Sequence, residues 1–366
     1  MTTGFFWDER CFWHGGGNYA GMLPVGGLVQ PMATGGLPEN PETKRRLKNL
    51  IAVTGLEADL ALMTAAPASR EDLLRVHPAS YLDDFKALSD GTGGELGRRT
   101  PFGPGGYEVA TLSAGLALGG LRAVLSGPMH NAYALSRPPG HHALPDFPNG
   151  FCLLANIAIA IRAVQAEGLA RRIAVLDWDV HHGNGTEAIF YDDPDVLTVS
   201  LHQDRNYPMD TGAFADRGHG AGAGFNLNIP LPPGTGHDGY LAAMDRLALP
   251  AIRAFAPDVI VVACGYDAAA NDPLGRMLAT ADTFRQMTRR VMALAEEVCG
   301  GRLLLVHEGG YSETYVPFCG HAVLEELSGS AVTAPDPFAE VFAARQPDGR
   351  FAVFLEGWIK DMEDAL

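Results

Sequence analysis

Short apolar runs rich in β-branched residues alternate along the chain with longer segments whose apolar residues recur every three or four positions. The short runs predict strands and the longer segments predict helices. Predicted strands cover 132–135, 173–177, 196–201, 259–263 and 303–306. Predicted helices cover 42–54, 79–88, 108–124, 153–166, 236–254 and 280–298. Strands joined by helical crossovers indicate a largely parallel sheet and an α/β fold.

The chain is predicted to form one domain over residues 1–366, because neither an internal repeat nor a linker interrupts the pattern. With 47% hydrophobic residues, it can bury a large core. The glycine-rich stretch 15–36 has no regular period and predicts a loop. This loop is expected to shape the rim of a site or to contact another subunit of a homo-oligomer, and an ordinary surface loop is the alternative.

The charge, apolar runs and cysteines of the chain indicate which partners and which location to expect. The chain has 43 acidic and 27 basic residues and a formal charge of −16, which disfavours binding to nucleic acid. It contains no uninterrupted run of about 18 apolar residues, so no membrane span is predicted. Its five cysteines are scattered and form no CxxC pair, which predicts reduced thiols and a cytoplasmic protein.

A motif rich in carboxylates and imidazoles, DWDVHHGNG, begins at the end of the predicted strand 173–177. Side chains two positions apart in an extended segment face the same way, so Asp177, Asp179 and His181 are expected to share one side. A carboxylate and an imidazole there suit zinc or a similar divalent metal. A polar surface loop is the alternative for this motif taken alone.

A second carboxylate, Asp267, follows the predicted strand 259–263 and could complete a set of three ligands. Carboxyl ends of parallel strands meet at one edge of a sheet, where ligands bind. Two carboxylates and one imidazole leave a coordination position open, as in catalytic rather than structural zinc sites. Taken alone, Asp267 could equally cap a helix.

Two further motifs follow predicted strands. In RPPGHH, one of the two histidines, His141 and His142, could accept a proton from an attacking water, and the other could stay charged beside an oxyanion. In HEGGY, the hydroxyl of Tyr311 could donate a hydrogen bond to a polarised carbonyl oxygen. The alternatives are a solvated histidine pair and a tyrosine that only packs.

Together, RPPGHH, DWDVHHGNGT, GYDA followed by DP, and EGGY resemble the histone deacetylase family, over roughly residues 69–329. EGGY, and Asn184 where class I members have an aspartate, make the chain similar to class II-like bacterial histone deacetylase-like amidohydrolases. The resemblance implies an arginase-deacetylase fold with a central eight-stranded parallel sheet, flanking helices and long active-site loops. It also implies zinc-dependent removal of acetyl or another small acyl group from acyl-lysine or similar N-acyl amines.

The resemblance further implies the role of each site residue. Asp179, His181 and Asp267 match the zinc ligands, and Tyr311 matches the tyrosine that polarises the acyl carbonyl. His142 matches the general base, and His141 matches a histidine kept charged by Asp177. A potassium ion would use Asp177, Ser200 and Leu201. The tunnel for the acyl-lysine would be walled by Gly150, Phe151 and Tyr207, with Leu274 at its rim.

Two departures from the family pattern affect substrate recognition. Tyr207 stands where a phenylalanine is usual, and segment 91–106 has no counterpart of the aspartate that grips a peptide backbone, since Glu95 is its only carboxylate. Hydrolysis of acetylpolyamines or other small amides is an alternative, although Leu274 replaces the acidic gate of polyamine-specific relatives. An arginase-like manganese hydrolase would need more aspartate ligands. An inactive acyl-lysine binding protein would lack a ligand or the tyrosine.

Overall fold

The computed structural model describes residues 2–15, 19–20, 23–32, 37–127 and 129–366. Within them, eight strands form one sheet in which every neighbouring pair is parallel, in the order β6-β5-β4-β7-β8-β3-β1-β2. The strands are β1 Thr3–Phe6, β2 Leu60–Met63, β3 Asn131–Ala134, β4 Ile173–Asp177, β5 Val196–Gln203, β6 Asn226–Leu231, β7 Val259–Cys264 and β8 Leu303–His307.

Helices cover both faces of this sheet. The described helices are α1 Glu42–Thr54, α2 Arg70–Leu74, α3 Ala79–Asp90, α4 Gly106–Ser126, α5 Asn156–Ala166, α6 Asn184–Phe190, α7 His237–Ala243, α8 Leu249–Phe255, α9 Ala281–Cys299, α10 Val316–Ser328, α11 Ala339–Ala343 and α12 Gly349–Glu363. A π-helical turn, Met244–Ala248, joins α7 to α8. Short two-stranded pairs occur at 19–20 with 23–24 and at 94–95 with 101–102.

The five predicted strands and the predicted parallel sheet are confirmed, whereas β1, β2 and β6 were not predicted. Strands β2 and β6 lie at the two edges of the sheet. β6 reads NLNIPL, and its Pro230 is tolerated because an edge strand has a free side. The six predicted helices are also present, although the one expected over 236–254 is divided by the π-helical turn.

The central strands bury side chains on both faces, which explains their nearly continuous apolar sequences. In β4, Ala174 and Leu176 enter the larger hydrophobic core, while Ile173 and Val175 enter the core on the other face. β7 alternates in the same way between the two cores. The sheet is therefore the middle layer of three. Because both of its faces are covered, polar site residues can gather only at the ends of its strands.

Helix α4 belongs to the second of these cores. Among the described helices it is the one that is long and apolar enough to cross a membrane, but 67% of its most apolar stretch is buried inside the protein. It packs against α5 and β3. At Gly115 a side chain would collide with the carbonyl oxygen of Ala66, 2.1 Å from the position of a Cβ atom. These contacts are those of a core helix.

Candidate active site

The loops that leave β3, β4, β7 and β8 meet at the carboxyl edge of the sheet and carry all four motifs. Asp179, His181 and Asp267 are buried there, with 0%, 6% and 0% of their surfaces exposed. One ligand atom from each lies within 4.8 Å of the others. Nδ1 of His181 is 3.0 Å from Oδ1 of Asp179 and 3.1 Å from Oδ2 of Asp267. The three groups could hold one metal ion.

Two glycines leave the space that the carboxylates of Asp179 and Asp267 occupy. A Cβ atom on Gly265 would lie 2.1 Å from Oδ2 of Asp179, and one on Gly309 would lie 2.2 Å from Oδ2 of Asp267. The backbone N–H of Gly309 also donates to Oδ2 of Asp179 at 2.8 Å. The glycines of GYD and EGGY are therefore required by the space around the carboxylates.

The donor set has an unsatisfied negative charge that suits a cation. Oδ1 of Asp267 accepts the N–H of Val180 at 2.8 Å, whereas its buried Oδ2 has no hydrogen bond of proper geometry in the described structure and has Nδ1 of His181, another proposed metal ligand, 3.1 Å away. Burial and the neighbouring charge of Asp179 raise the pKa of Asp267 to about 7. A divalent cation would satisfy the free oxygen and offset the repulsion between the carboxylates.

His141 is bonded to a carboxylate, as predicted. Its Nδ1–H donates to Oδ2 of Asp177 at 2.9 Å, and its Nε2 lies 3.8 Å from Oδ1 of Asp179. Burial disfavours the imidazolium, but the charges of Asp179 and Asp177 outweigh this effect and raise the pKa of His141 to about 10. The two carboxylates thus favour the protonated form of His141.

His142 lies against His141 but has a neutral partner. The two ring centroids are 4.0 Å apart, and Nδ1–H of His142 donates to Oδ1 of Asn184 at 2.8 Å. Burial and the positive charges of His141 and His181 hold the pKa of His142 well below its usual value. Since Asn184 uses Nδ1, the Nε2 atom of neutral His142 is left to accept a proton. Both histidines are buried, which excludes a solvated pair.

Two buried carboxylates in the site were not assigned a role from the sequence. Oε2 of Glu308 accepts the backbone N–H groups of Gly140 and His141 at 2.6 and 3.1 Å. Burial raises the pKa of Glu308 to about 7. Its position in the EGGY motif was the available signal. Glu308 also lies near His141 and Cys152 in a second possible metal group, but its Oε2 and the Nδ1 of His141 already have protein partners.

The other carboxylate, Asp272, orients two predicted site residues. Its Oδ2 accepts the N–H of Tyr311 at 2.7 Å, and its Oδ1 accepts the N–H of Leu274 at 2.8 Å. Tyr311 is 8% exposed, and its ring centroid is 6.4 Å from that of His181. Burial and the charge of Asp267 raise the pKa of Tyr311 well above its usual value, so its hydroxyl remains a donor.

Three of the predicted tunnel residues, Gly150, Phe151 and Tyr207, lie next to His142 or Tyr311. The Phe151 ring is 5.7 Å from that of Tyr311, and the Tyr207 ring is 5.1 Å from that of His142. Gly150 has a φ of +51°, and a Cβ atom there would lie 2.5 Å from the His142 ring and 2.9 Å from the Tyr207 ring. The Tyr207 hydroxyl donates to Oδ1 of Asn149. This bond fixes the polar group that departs from the usual phenylalanine.

The predicted potassium residues lie on β4 and β5, and β4 ends just before the loop that carries Asp179 and His181. Asp177 and Ser200 are paired across β4 and β5, and Leu201 follows in the buried part of β5. The Ser200 hydroxyl bonds to Nδ1 of His202 at 2.9 Å, and Oδ1 of Asp177 accepts the N–H of Asp179 at 3.0 Å. The side chains of Asp177 and Ser200 are thus adjacent, and each already has a hydrogen-bond partner in the protein.

Comparison with known protein families decides the relationship that the motifs suggested. Residues 37–327 match the model of the histone deacetylase domain. The chain belongs to the histone deacetylase family. It is 58% identical over 360 residues to a histone deacetylase-like amidohydrolase of Pseudomonas aeruginosa, covering 98% of this chain and 95% of that protein.

Other members of the histone deacetylase family are similar over most of their length. A probable deacetylase of Archaeoglobus fulgidus is 38% identical, covering 89% of this chain and 92% of that protein. The crystal structure of the HDA15 HD domain superimposes with a TM-score of 0.81 at 30% identity, covering 100% of this chain and 98% of that one. The eight-stranded sheet is therefore the arginase-deacetylase fold, and family membership supports a hydrolase of the deacetylase or amidohydrolase type.

The glycine-rich stretch 15–36 lies partly outside the described residues, which exclude 16–18, 21–22 and 33–36. Its described part packs on the segment that follows α3. The carbonyl oxygen of Gly15 accepts the N–H of Gly103 at 2.6 Å, and Val25 is buried. Leu28 is 93% exposed. A contact with another subunit remains a prediction.

Proposed function

We propose that the protein is a zinc-dependent amide hydrolase that removes acetyl or another small acyl group from acyl-lysine or similar N-acyl amines. The observation that carries this proposal is the buried group of Asp179, His181 and Asp267, with the free Oδ2 of Asp267, directly beside His142 and Tyr311. When bound, zinc would supply a Lewis acid for the acyl carbonyl and a water of lowered pKa.

The protein's own groups would handle the protons and the developing charge. His142 accepts a proton at Nε2 from the attacking water and returns it to the leaving amine, releasing acetate and a free amine. Its neutrality in the free protein supports this role. Tyr311 donates its hydroxyl proton as a hydrogen bond to the oxyanion. His141, held charged by Asp177, stabilises the same negative charge.

Three further features belong to the same proposal. Potassium near Asp177, Ser200 and Leu201 is proposed on family resemblance and on the adjacency of Asp177 and Ser200. One deacetylase domain over 1–366 is supported by Phe5 and Ile359, which enter the same hydrophobic core. A cytoplasmic location is supported by five buried cysteines without a disulfide.

The proposed function is tested by metal exchange and hydrolysis on the full chain. Chelated protein is expected to be inactive on an acetyl-lysine peptide and to regain activity on one equivalent of zinc per chain. Asp267→Ala is expected to lose the metal, measured by elemental analysis, and the thermal stabilisation that zinc gives the wild type. At 100 times the dissociation constant, that stabilisation is about 2.7 kcal/mol.

N-acetylputrescine and manganese distinguish the alternative functions. Faster turnover of N-acetylputrescine than of the peptide would favour a polyamine hydrolase. Activity that requires two manganese ions per chain would favour an arginase-like enzyme. Zinc-loaded protein without turnover on a panel of acyl amines would contradict the proposal and favour a binding protein.

A further inference from the structure

Two adjacent arginines, Arg98 and Arg99, are fixed at the wall of the predicted substrate tunnel. The N–H of Arg98 donates to the carbonyl oxygen of Pro148 at 3.1 Å, and the carbonyl oxygens of Arg98 and Arg99 each accept an N–H, from Gly150 and Phe151, at 3.0 Å. A Cβ atom on Gly97 would lie 1.9 Å from the Pro148 oxygen, so the close approach requires glycine. The arginines are therefore attached to the same backbone that lines the tunnel.

The backbone is strained at this rim. Outside glycine, positive φ angles occur at four described residues, and three of them are Arg99, Phe151 and Arg205, with φ of 58°, 69° and 51°. Such conformations cost free energy and persist where the surrounding structure enforces them, often at ligand sites. Here the strain coincides with two tunnel-wall segments and with the side chains of two exposed arginines.

The guanidinium groups of this rim have no acidic partners. Among the described residues, no carboxylate oxygen lies within 4.0 Å of a charged nitrogen of Arg98 or Arg99. Some other arginines form ion pairs, as Arg122 does with Glu167 and Arg289 does with Glu326, whereas Arg217 and Arg276 bond carbonyl oxygens and have no ion pair among the described residues. Arg98 and Arg99 differ from these in being exposed, adjacent in sequence and bonded through their backbone to the tunnel-wall segment 150–151.

The acidic residue of this segment forms a hydrogen bond within the local turn. Oε1 of Glu95, the only carboxylate of 91–106, accepts the N–H of Thr100 at 2.9 Å and so stabilises the turn that presents the arginines. The Arg99 guanidinium carbon lies 5.6 Å from the ring centroid of Tyr207. The Tyr207 hydroxyl is bonded to Asn149, so the ring beneath the arginine is fixed as well.

We propose that Arg98 and Arg99 recognise a carboxylate on the amine-bearing part of the substrate. The substrates would then be acetylated amines with acidic groups next to the acetylated lysine, such as acetyl-lysine peptides with flanking glutamates. A planar guanidinium binds a carboxylate in a bidentate manner, and an exposed pair of them repels cationic amines. The inference rests on the proposed function and deepens it, because it disfavours acetylpolyamines on grounds of charge.

The test compares three acetyl-lysine peptides that differ only in the flanking residues: glutamate, glutamine or lysine. Wild-type protein is expected to prefer the glutamate peptide to the glutamine peptide by about 5- to 10-fold in kcat/KM, mainly through KM, with the lysine peptide slowest. The preference should fall towards unity at roughly 0.5 M NaCl, because salt screens exposed charges.

The double variant R98Q/R99Q replaces the charged side chains with neutral polar ones. It is expected to bring the ratio of kcat/KM between the glutamate and glutamine peptides down to about one. This ratio is measured within one variant, so a general loss of activity cancels. The matched control R171Q/R253Q removes two charges near the opposite edge of the sheet and should keep the wild-type ratio. Arg171 precedes β4 and is paired with Asp195, and Arg253 is paired with Glu297.

Failure of this inference is distinguishable from failure of the proposed function. Equal kcat/KM for the glutamate and glutamine peptides in the wild type, or a ratio that survives in R98Q/R99Q, would overturn the role of the arginines while the hydrolase stands. Absence of turnover on all three peptides by zinc-loaded protein would overturn the proposed function, and the inference with it.

Discussion

The Oδ1 atom of Asn184 accepts a hydrogen bond from Nδ1 of His142 at 2.8 Å, in a buried position where an aspartate would add a negative charge. This bond fixes the tautomer of His142 and leaves Nε2 free. It also leaves the imidazole without a neighbouring anion on that side, while His141 and His181 add positive charge. Burial and the two neighbouring histidines lower the pKa of His142, and the hydrogen bond to the neutral Asn184 opposes this only in part, without the charge that an aspartate would add.

We expect Asn184→Asp to raise the pKa of His142, because the new carboxylate stabilises the imidazolium. A general base must be neutral, so kcat/KM rises with pH through its pKa. The acid limb of the pH profile should therefore move up by about 1 to 2 pH units, with similar rates retained at high pH. A profile that coincides with the wild-type profile would contradict the assignment of His142 as the base.

The Tyr311 hydroxyl is expected to act on the transition state rather than on folding. Removing one preorganised oxyanion donor typically lowers kcat by about 10² to 10³. Tyr311→Phe should show this loss on an acetyl-lysine peptide with little change in KM or in the thermal unfolding midpoint. Tyr191→Phe removes a hydroxyl outside the site and serves as the control. Wild-type turnover by Tyr311→Phe would exclude the oxyanion role.

Arg137 and Glu39 form a buried ion pair that attaches the N-terminal segment to the RPPGHH turn. Arg137 donates to both oxygens of Glu39, at 2.8 and 3.0 Å, and to the carbonyl oxygens of Cys11 and His14, both at 2.9 Å. Glu39→Ala would leave the guanidinium buried without its anion. The expected loss in the free energy of unfolding is about 3 to 5 kcal/mol.

This loss is measurable by urea unfolding of Glu39→Ala and the wild type. Glu297→Ala, which breaks the exposed pair with Arg253, is the matched control and should leave the unfolding midpoint nearly unchanged. A Glu39→Ala protein as stable as this control would show that the buried pair does not stabilise the fold.

His77 makes the stability depend on pH at a position outside the proposed ligand set. Its Nδ1–H donates to the carbonyl oxygen of Pro145 at 2.7 Å, and its Nε2 accepts the N–H of Ala155 at 3.0 Å, so the folded protein requires the neutral ring. Burial lowers the pKa of His77 to about 4, against an unfolded value of 6.5. Its contribution is therefore complete above pH 6.5 and is lost as the pH falls towards 4.

We expect the wild type to lose on the order of 2 kcal/mol more than His77→Gln between pH 7.5 and pH 4, measured by urea unfolding. The variant should be less stable at pH 7.5, where the two hydrogen bonds of the ring are missing, and this difference should shrink in acid. A constant difference across the range would mean that the ring titrates normally in the folded protein.

Periodicity in the sequence determined the central part of the fold. Strands β4, β7 and β8 could be predicted because both faces are covered by helices, which demands unbroken apolar runs. The motifs that follow them could be placed at one edge because parallel strands end together. The buried grouping of Asp179, His181 and Asp267 agrees with that reasoning from strand ends.

Only the tertiary structure decided the features that depend on contacts between distant segments. Strand β2 is partly exposed and lies at the sheet edge, so its pattern is not that of a central strand. The pairing of His142 with Asn184, of Arg137 with Glu39, and of segment 98–99 with 148–151 has no local period. Such contacts arise because the packing of the sheet and its loops brings together segments that are far apart in the sequence. Local sequence patterns do not encode which of these distant segments become neighbours.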